Sequence, residues 1–149
     1  MEPTLSKLVA DLKLSEGSRM RGIRHMPYID TAGKMTIGWG RNLTDCGVSE
    51  NEAMHLLKDD IEEVLVDLAT FHWFAGLDEV RSRAIANFRF NVGPKTFRDF
   101  EPTWERVAAG DFASAAAHLR DSKWAGQVKV RAVLIIQMLE TGRDPILFA

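Results

Sequence analysis

The sequence predicts an α+β protein, with a small β-hairpin lobe near its N-terminus and a larger, mostly helical lobe after it. Three observations lead to this fold class. Bulky and small residues alternate only between residues 27 and 40, in the pattern of two strands and a turn. Most of the remaining chain has apolar residues three and four positions apart, which is the spacing of amphipathic helices. The length of 149 residues, with 46% hydrophobic and 27% charged, is typical of one soluble domain and excludes a disordered, collagen-like or membrane-spanning chain.

The first predicted element is an amphipathic helix over residues 4–15. Its apolar stripe is formed by Leu5, Leu8, Val9 and Leu12. Gly17 follows at the position where a glycine in the left-handed conformation commonly ends a helix. Residues 19–25, which come next, are basic and are expected to be irregular.

Two strands are predicted at 27–30 and 35–40, joined by a polar turn. Because side chains alternate along a strand, one face of the second strand is bulky, with Met35, Ile37 and Trp39. This face is expected to cover a core. The opposite face carries Thr36, Gly38 and Gly40, and it leaves the backbone open to a ligand. Glycines in strands are equally typical of bulges, so the glycines alone leave both interpretations open.

Five further helices are predicted after the hairpin. A capping box from Ser49 to Glu52 opens the first, which runs to about residue 69. The second starts near Leu77 and ends at Gly93-Pro94. The others are expected at 101–109, at 112–120 and, as a central and almost fully buried helix, from about 126 to 140.

We interpret the chain as one domain, 1–149, with two lobes. The hairpin lobe covers about 16–48, a connecting helix covers about 49–69, and the helical lobe covers about 70–149 together with the helix 4–15. Two lobes joined in this way commonly leave a cleft between them, which is a favoured place for a ligand. We therefore expect the functional site in such a cleft.

Charge and cysteine content exclude several function classes. The net charge of −2 and the isoelectric point of about 6.1 do not indicate a nucleic-acid partner or insertion into a membrane. One cysteine, Cys46, permits no disulfide within the chain, and the four histidines lack metal-ligand spacing. We expect neither a metal nor a cofactor. Because the N-terminal stretch has no apolar signal-peptide core, we expect synthesis and storage in the cytoplasm.

Two acids near the hairpin have the properties of a catalytic pair. Glu16 lies at the predicted C-terminal end of the first helix, where the helix dipole disfavours a second negative charge and so favours a proton donor. Asp30 lies in the polar turn region, and Thr36 lies across the hairpin, in a position to hold a water. Hydrolysis of a glycosidic bond commonly needs two carboxyls, one protonated to act as the acid and one ionised. The same three residue types near a turn are also common on solvated surfaces.

The order of motifs along the chain resembles the phage-type lysozymes, glycoside hydrolase family 24. The resemblance begins at Glu16-Gly17 and is strongest in the hairpin sequence PYIDTAGKMTIGWGRNLT of residues 27–44. It continues over nearly the whole chain, through 47–49, 83–93, 122–124, 127–132 and 140–142. It implies a lysozyme-like fold and a muramidase that cleaves the β-1,4 bond between N-acetylmuramic acid and N-acetylglucosamine in peptidoglycan.

The resemblance also assigns roles to individual residues. Glu16 matches the general acid, and Asp30 and Thr36 match the residues that position the attacking water, with inversion at the sugar. Substrate contacts are implied for Asn42, Phe90, Asn91, Thr103 and His118. Arg131, expected in the buried last helix, matches an arginine that supports the acid. The thirteen residues between Glu16 and Asp30 are more than the family usually has, and the surplus lies in 19–26, whose role stays open.

The resemblance implies a biological setting as well. We expect a monomeric endolysin of a phage or prophage, which reaches the wall through a separately encoded, holin-like pore and causes lysis of the host cell. Two alternatives remain open from the sequence. One is a non-catalytic module with this fold that binds peptidoglycan or a protein. The other is a lytic transglycosylase, which needs a single catalytic acid.

Overall fold

A computed structural model of the protein describes residues 3–145, with side chains from residue 5 onward. It is mostly helical, with small antiparallel sheets near the N-terminus, and this confirms the predicted α+β class. The helices are α1 (Pro3–Glu16), α2 (Leu43–Cys46), α3 (Glu50–Leu68), α4 (Glu79–Asp99), α5 (Glu101–Ala108), α6 (Phe112–Arg120), α7 (Lys123–Val128) and α8 (Val130–Thr141). The strands are β1 (Met20–Arg21), β2 (Arg24–His25), β3 (Tyr28–Ile29), β4 (Met35–Ile37) and β5 (Arg41–Asn42). None of the helices described is long and apolar enough to cross a membrane.

The contacts of the chain divide it into two compact units. The first unit is Met1–His55 and holds α1, α2 and all five strands; the second is Leu56–Ala149 and holds the later helices. The boundary falls inside α3. The structure thus groups α1 with the sheets, whereas the sequence pattern predicts residues 4–15 as part of the helical lobe.

Residues 19–26 form a small β-hairpin, so the expectation of an irregular segment is wrong. Strands β1 and β2 are antiparallel, with Met20 opposite His25. Gly22 has φ 60°, which suits the first position of a two-residue hairpin turn. The N–H of Met26 donates to the carbonyl of Arg19 at 2.7 Å and extends the pairing. The additional residues between Glu16 and Asp30 are therefore folded into a defined element.

The second sheet has the order β3-β4-β5, and its strands are antiparallel. Tyr28 pairs with Thr36, and Thr36 pairs with Asn42 on its other side. Thr36 is thus the central residue of this sheet, and only 3% of its surface is exposed. This register places the turn that begins at Asp30 beside Thr36.

The predicted strand 35–40 ends earlier, at Ile37. Gly38 and Gly40 have φ of 62° and 85°, so the backbone turns there instead of continuing extended. The expectation that the bulky face covers a core is also wrong. Met35 and Trp39 are exposed, whereas Thr36 on the opposite face is buried. The glycines therefore mark a turn, which is neither the bare strand face nor the bulge that the sequence left open.

The core of the second unit is an aromatic cluster among its helices. Phe88 of α4 contacts Trp124 of α7 edge-on, with ring centroids 4.7 Å apart. Phe97 stacks on Trp104 at 4.4 Å, and the Trp104 indole N–H donates to the Phe97 carbonyl at 2.7 Å. All four rings are nearly inaccessible to solvent. Their burial supplies a large share of the hydrophobic stabilisation of this unit.

An ion-pair network fixes the end of α3 to α4 within the second unit. Asp67 accepts from Arg89 Nε at 2.6 Å and from Arg98 Nη2 at 2.5 Å. The hydrogen bond from Arg98, followed by that from Arg89, holds the pKa of Asp67 below its usual range. Arg89 is buried, so the carboxylate compensates the cost of removing its charge from water.

The predicted last helix, 126–140, is broken into α7 and α8. The break is at Lys129, which has φ 43°. The buried face of α8 carries Ala132, Ile135, Ile136, Met138 and Leu139. Arg131 is exposed, so its predicted burial is wrong, and so is the almost complete burial of this helix. Arg131 lies in the first turn of α8, and its side chain lines the apolar surface pocket beside Phe90 instead of entering the core.

Candidate active site

Glu16 is the last residue of α1. Gly17 ends the helix in the left-handed conformation, with φ 64°, and its N–H donates to the Lys13 carbonyl at 3.2 Å. The Glu16 side chain is exposed, and its carboxyl lies against the backbone of Gly40. A Cβ at Gly40 would lie 2.9 Å from Glu16 Oε2 and 3.1 Å from its Cδ. Gly40 therefore provides the space that the carboxyl occupies.

Asp30 is held in a tight turn after β3. Its Oδ1 accepts two backbone N–H bonds, from Ala32 at 2.9 Å and from Lys34 at 2.8 Å. The backbone closes the same turn, because the Asp30 N–H donates to the Lys34 carbonyl at 2.9 Å. These bonds fix the orientation of the carboxylate and direct Oδ2 toward Thr36.

Thr36 lies beside this free carboxylate oxygen. Its Oγ1 is 3.5 Å from Asp30 Oδ2 and 3.1 Å from the Lys34 carbonyl oxygen. A hydroxyl has one proton, so it donates to one of these oxygens at a time, and its lone pairs remain available to accept from a water. The structure thus brings together Asp30 and Thr36, as their spacing in the hairpin predicts.

Asn42 caps α2. Its Oδ1 accepts from the Asp45 N–H at 3.0 Å, and its Nδ2 donates to Asp45 Oδ2 at 2.9 Å. Sequence reasoning missed this role, although an asparagine three residues before an aspartate is a common capping pattern. The substrate contact expected of Asn42 stays a prediction.

In the second unit, the side chains of Phe90 and Asn91 have different neighbours. Phe90 is exposed and lines an apolar pocket of about 540 Å³, to which Arg131 also contributes. Asn91 accepts a hydrogen bond from the Trp124 indole N–H at 2.8 Å through its Oδ1. That bond leaves the Asn91 amide nitrogen as the group available for a ligand. Substrate contacts of both residues stay predictions.

Thr103 and His118 form a pair inside the second unit. Thr103 is fully buried, and its Oγ1 lies 2.5 Å from Nδ1 of the half-buried His118. A fully buried hydroxyl does not reach a glycan in this conformation, so the structure does not support a direct substrate contact for Thr103. Its contribution is to fix the orientation of the His118 ring.

The predicted site residues thus fall into two sets, each within one unit. The first unit contains Glu16, Asp30, Thr36 and Asn42, and the second contains Phe90, Asn91, Thr103, His118 and Arg131. Support of Glu16 by Arg131 joins the two sets and stays a prediction. Among the residues described, no group of three or more histidine, cysteine, aspartate or glutamate side chains is arranged to hold a metal ion.

A model of the phage lysozyme family matches residues 18–135 of this chain. The chain belongs to the phage lysozyme family. A curated relative, "Probable T4-type lysozyme 2" of Dictyostelium discoideum, is 26% identical, and the alignment covers 93% of this chain and 96% of the relative. Membership of the phage lysozymes supports a lysozyme-like glycosidase with peptidoglycan as its substrate. The matched range begins two residues after Glu16, so it includes Asp30 and Thr36 but not the predicted acid.

The position of Gly40 yields a prediction for this phage lysozyme. Replacing Gly40 by Ala places a methyl group 2.9 Å from the end of a flexible side chain, so the Glu16 carboxyl has to move. A displacement of about 1 Å lowers turnover by up to about a hundredfold. With Glu16 as the acid that the family resemblance implies, we expect kcat for peptidoglycan to fall at least about tenfold, as measured by the release of reducing ends.

Gly38→Ala is the matched control. Gly38 has a similar positive φ, 62°, but a Cβ there meets nothing within 4 Å. Both variants incur the strain of an L-residue in the left-handed region, about 1–2 kcal/mol, so both should lose similar stability in thermal unfolding. Equal kcat values in the two variants would contradict either the seating of Glu16 on Gly40 or its expected role as the acid.

Proposed function

We propose that this protein is a muramidase that hydrolyses the β-1,4 bond between N-acetylmuramic acid and N-acetylglucosamine, with Glu16 as general acid. The observation that carries the proposal is the side-chain contact between Thr36 Oγ1 and Asp30 Oδ2, at 3.5 Å, in the unit that also seats Glu16. Hydrolysis with inversion needs one carboxylic acid, one carboxylate and a bound water. Glu16 supplies the carboxylic acid and Asp30 the carboxylate, and the Asp30 and Thr36 oxygens offer acceptors for the water.

In the proposed reaction Glu16 donates its proton to the glycosidic oxygen as the bond to the muramic C1 breaks. A water that donates hydrogen bonds to Asp30 Oδ2 and Thr36 Oγ1 attacks C1 from the opposite face. Asp30 takes up the proton that this water loses, and exchange with solvent returns both carboxyls to their starting states. The exposure of Glu16 supports this role, because a polymeric substrate must reach the acid.

Further residues and the biological setting complete the proposal. Asn42, Phe90, Asn91 and His118 contact the glycan, and Arg131 supports Glu16. The enzyme acts as a monomeric endolysin that is stored in the host cytoplasm and reaches the wall through a holin-like pore. Membership of the phage lysozyme family supports peptidoglycan as the substrate in this setting.

Digestion of purified peptidoglycan, followed by mass spectrometry of the soluble products, tests the reaction. We expect products with reducing muramic ends, because water is the acceptor in the proposed step. Anhydro-muramic ends would instead identify a lytic transglycosylase. Binding to insoluble peptidoglycan without soluble products would identify a binding module that has lost turnover.

A further inference from the structure

The turn that seats Glu16 contains one large side chain, that of Trp39. Its neighbours Gly38 and Gly40 both have positive φ and no side chain. Because glycine adopts many backbone conformations at little cost, two glycines in three residues make this turn intrinsically loose. Its position therefore depends on what Trp39 contacts.

One contact of Trp39 comes from the helix that carries Glu16. Lys13 Nζ lies 4.2 Å from the centroid of the Trp39 ring, a cation–π arrangement. Lys13 precedes Glu16 by three residues, which is close to one helical turn, so the two side chains are neighbours on α1. This contact joins the end of α1 to the turn that contains Gly40.

A second contact comes from the hairpin of residues 19–26. The ring of His25, in β2, meets the Trp39 ring edge-on, with centroids 4.6 Å apart and an interplanar angle of 69°. His25 is itself held by Ser18, whose Oγ lies 2.6 Å from Nδ1. The base of the hairpin is therefore packed on Trp39 through His25. His25 is in turn held by Ser18, which lies two residues after Glu16 in the sequence.

We propose that Trp39 is a positioning residue for the Glu16 carboxyl, and that the hairpin 19–26 supports it through His25. The inference rests on the proposed function, because the position of Glu16 matters for turnover only if Glu16 is the acid. Lys13 and His25 hold the ring, the ring holds the turn, and the turn places the Gly40 backbone under the carboxyl. The additional residues between Glu16 and Asp30, which form the hairpin 19–26, thus help to position the Glu16 carboxyl.

The test compares Trp39→Leu with Trp39→Phe. Leucine removes the aromatic face that Lys13 and His25 contact, so we expect kcat to fall about tenfold to a hundredfold while KM changes less than about twofold. Phenylalanine keeps an aromatic face and should restore most of kcat. His25→Ala and His25→Phe should show the same contrast, more weakly. Ile23→Ala is the control, since Ile23 is 95% exposed at the hairpin tip and should leave kcat unchanged.

Wild-type kcat in Trp39→Leu, with only a lower melting temperature, would overturn the proposal and show a purely structural residue. A raised KM at unchanged kcat would also overturn it, because Trp39 would then contact the glycan. NMR gives a readout that does not depend on turnover. Trp39→Leu should shift the Glu16 carboxyl resonance more than Trp39→Phe does. If the NMR shifts changed as expected but the wild-type protein did not cleave peptidoglycan, the proposed function would be contradicted. The inference that Trp39 positions the Glu16 carboxyl would still hold.

Discussion

Replacing Glu16 by Gln is expected to abolish the release of soluble fragments from peptidoglycan while the protein still folds. Glutamine has the size of glutamate but no proton to give to the leaving oxygen. Loss of a general acid lowers turnover by about a hundredfold to ten-thousandfold. Because the Glu16 side chain is exposed, its replacement should change the free energy of unfolding by less than about 0.5 kcal/mol.

Initial rates of fragment release, with thermal unfolding followed by circular dichroism, provide the measurement. Glu50→Gln is the matched control, because Glu50 is another exposed glutamate of the first unit and its loss changes the net charge equally. This control should retain the wild-type rate. A Glu16→Gln enzyme as active as the control would remove Glu16 from the mechanism.

Local signals in the sequence predicted several elements correctly. The capping box at the start of α3 is formed as expected: Ser49 Oγ accepts from the Glu52 N–H at 3.2 Å, and Glu52 Oε2 accepts from the Ser49 N–H at 2.7 Å. The hydrogen bonds of Arg41 to Glu52, together with the Ser49 N–H, lower the pKa of Glu52 to about 2. Such caps involve residues close in sequence, so a single sequence contains the information.

Elements that depend on pairing or on distant contacts were not predictable in this way. Strands β1 and β2 have two residues each, which is too short for alternation to be visible. The break at Lys129 has neither glycine nor proline to indicate it. Burial of Thr103 likewise depends on neighbouring helices and not on its own sequence context.

In the candidate site, too, contacts between residues close in sequence could be predicted, and contacts between residues far apart in sequence could not. Asp30 and Thr36 lie in one hairpin, so the turn and the register bring them together, and their spacing predicts this. Glu16 and Gly40 are far apart in sequence, and no local signal indicates that a carboxyl rests on that glycine. The family resemblance proposes Glu16 as the acid, and only the fold shows that its carboxyl lies against Gly40.

Replacing Asp30 by Asn is expected to have the second largest effect on activity. Asparagine keeps an Oδ1 that accepts the N–H bonds of Ala32 and Lys34, so the turn should be preserved. It replaces Oδ2 by an NH₂ group, which donates and takes up no proton. We therefore expect the rate of hydrolysis to fall by about a hundredfold or more.

Asp11→Asn is the control for charge, because Asp11 is an exposed aspartate of α1 in the same unit. Thr36→Val distinguishes the contribution of the hydroxyl from that of the carboxylate. It removes the hydroxyl that faces Asp30 Oδ2 and keeps the shape of the side chain. Asp30→Asn should lose more activity than Thr36→Val, because the carboxylate accepts the proton and the hydroxyl only orients the water. If Asp30→Asn kept the wild-type rate and its products ended in anhydro-muramic acid, the attacking group would be the sugar's own hydroxyl, and Asp30 would not be needed.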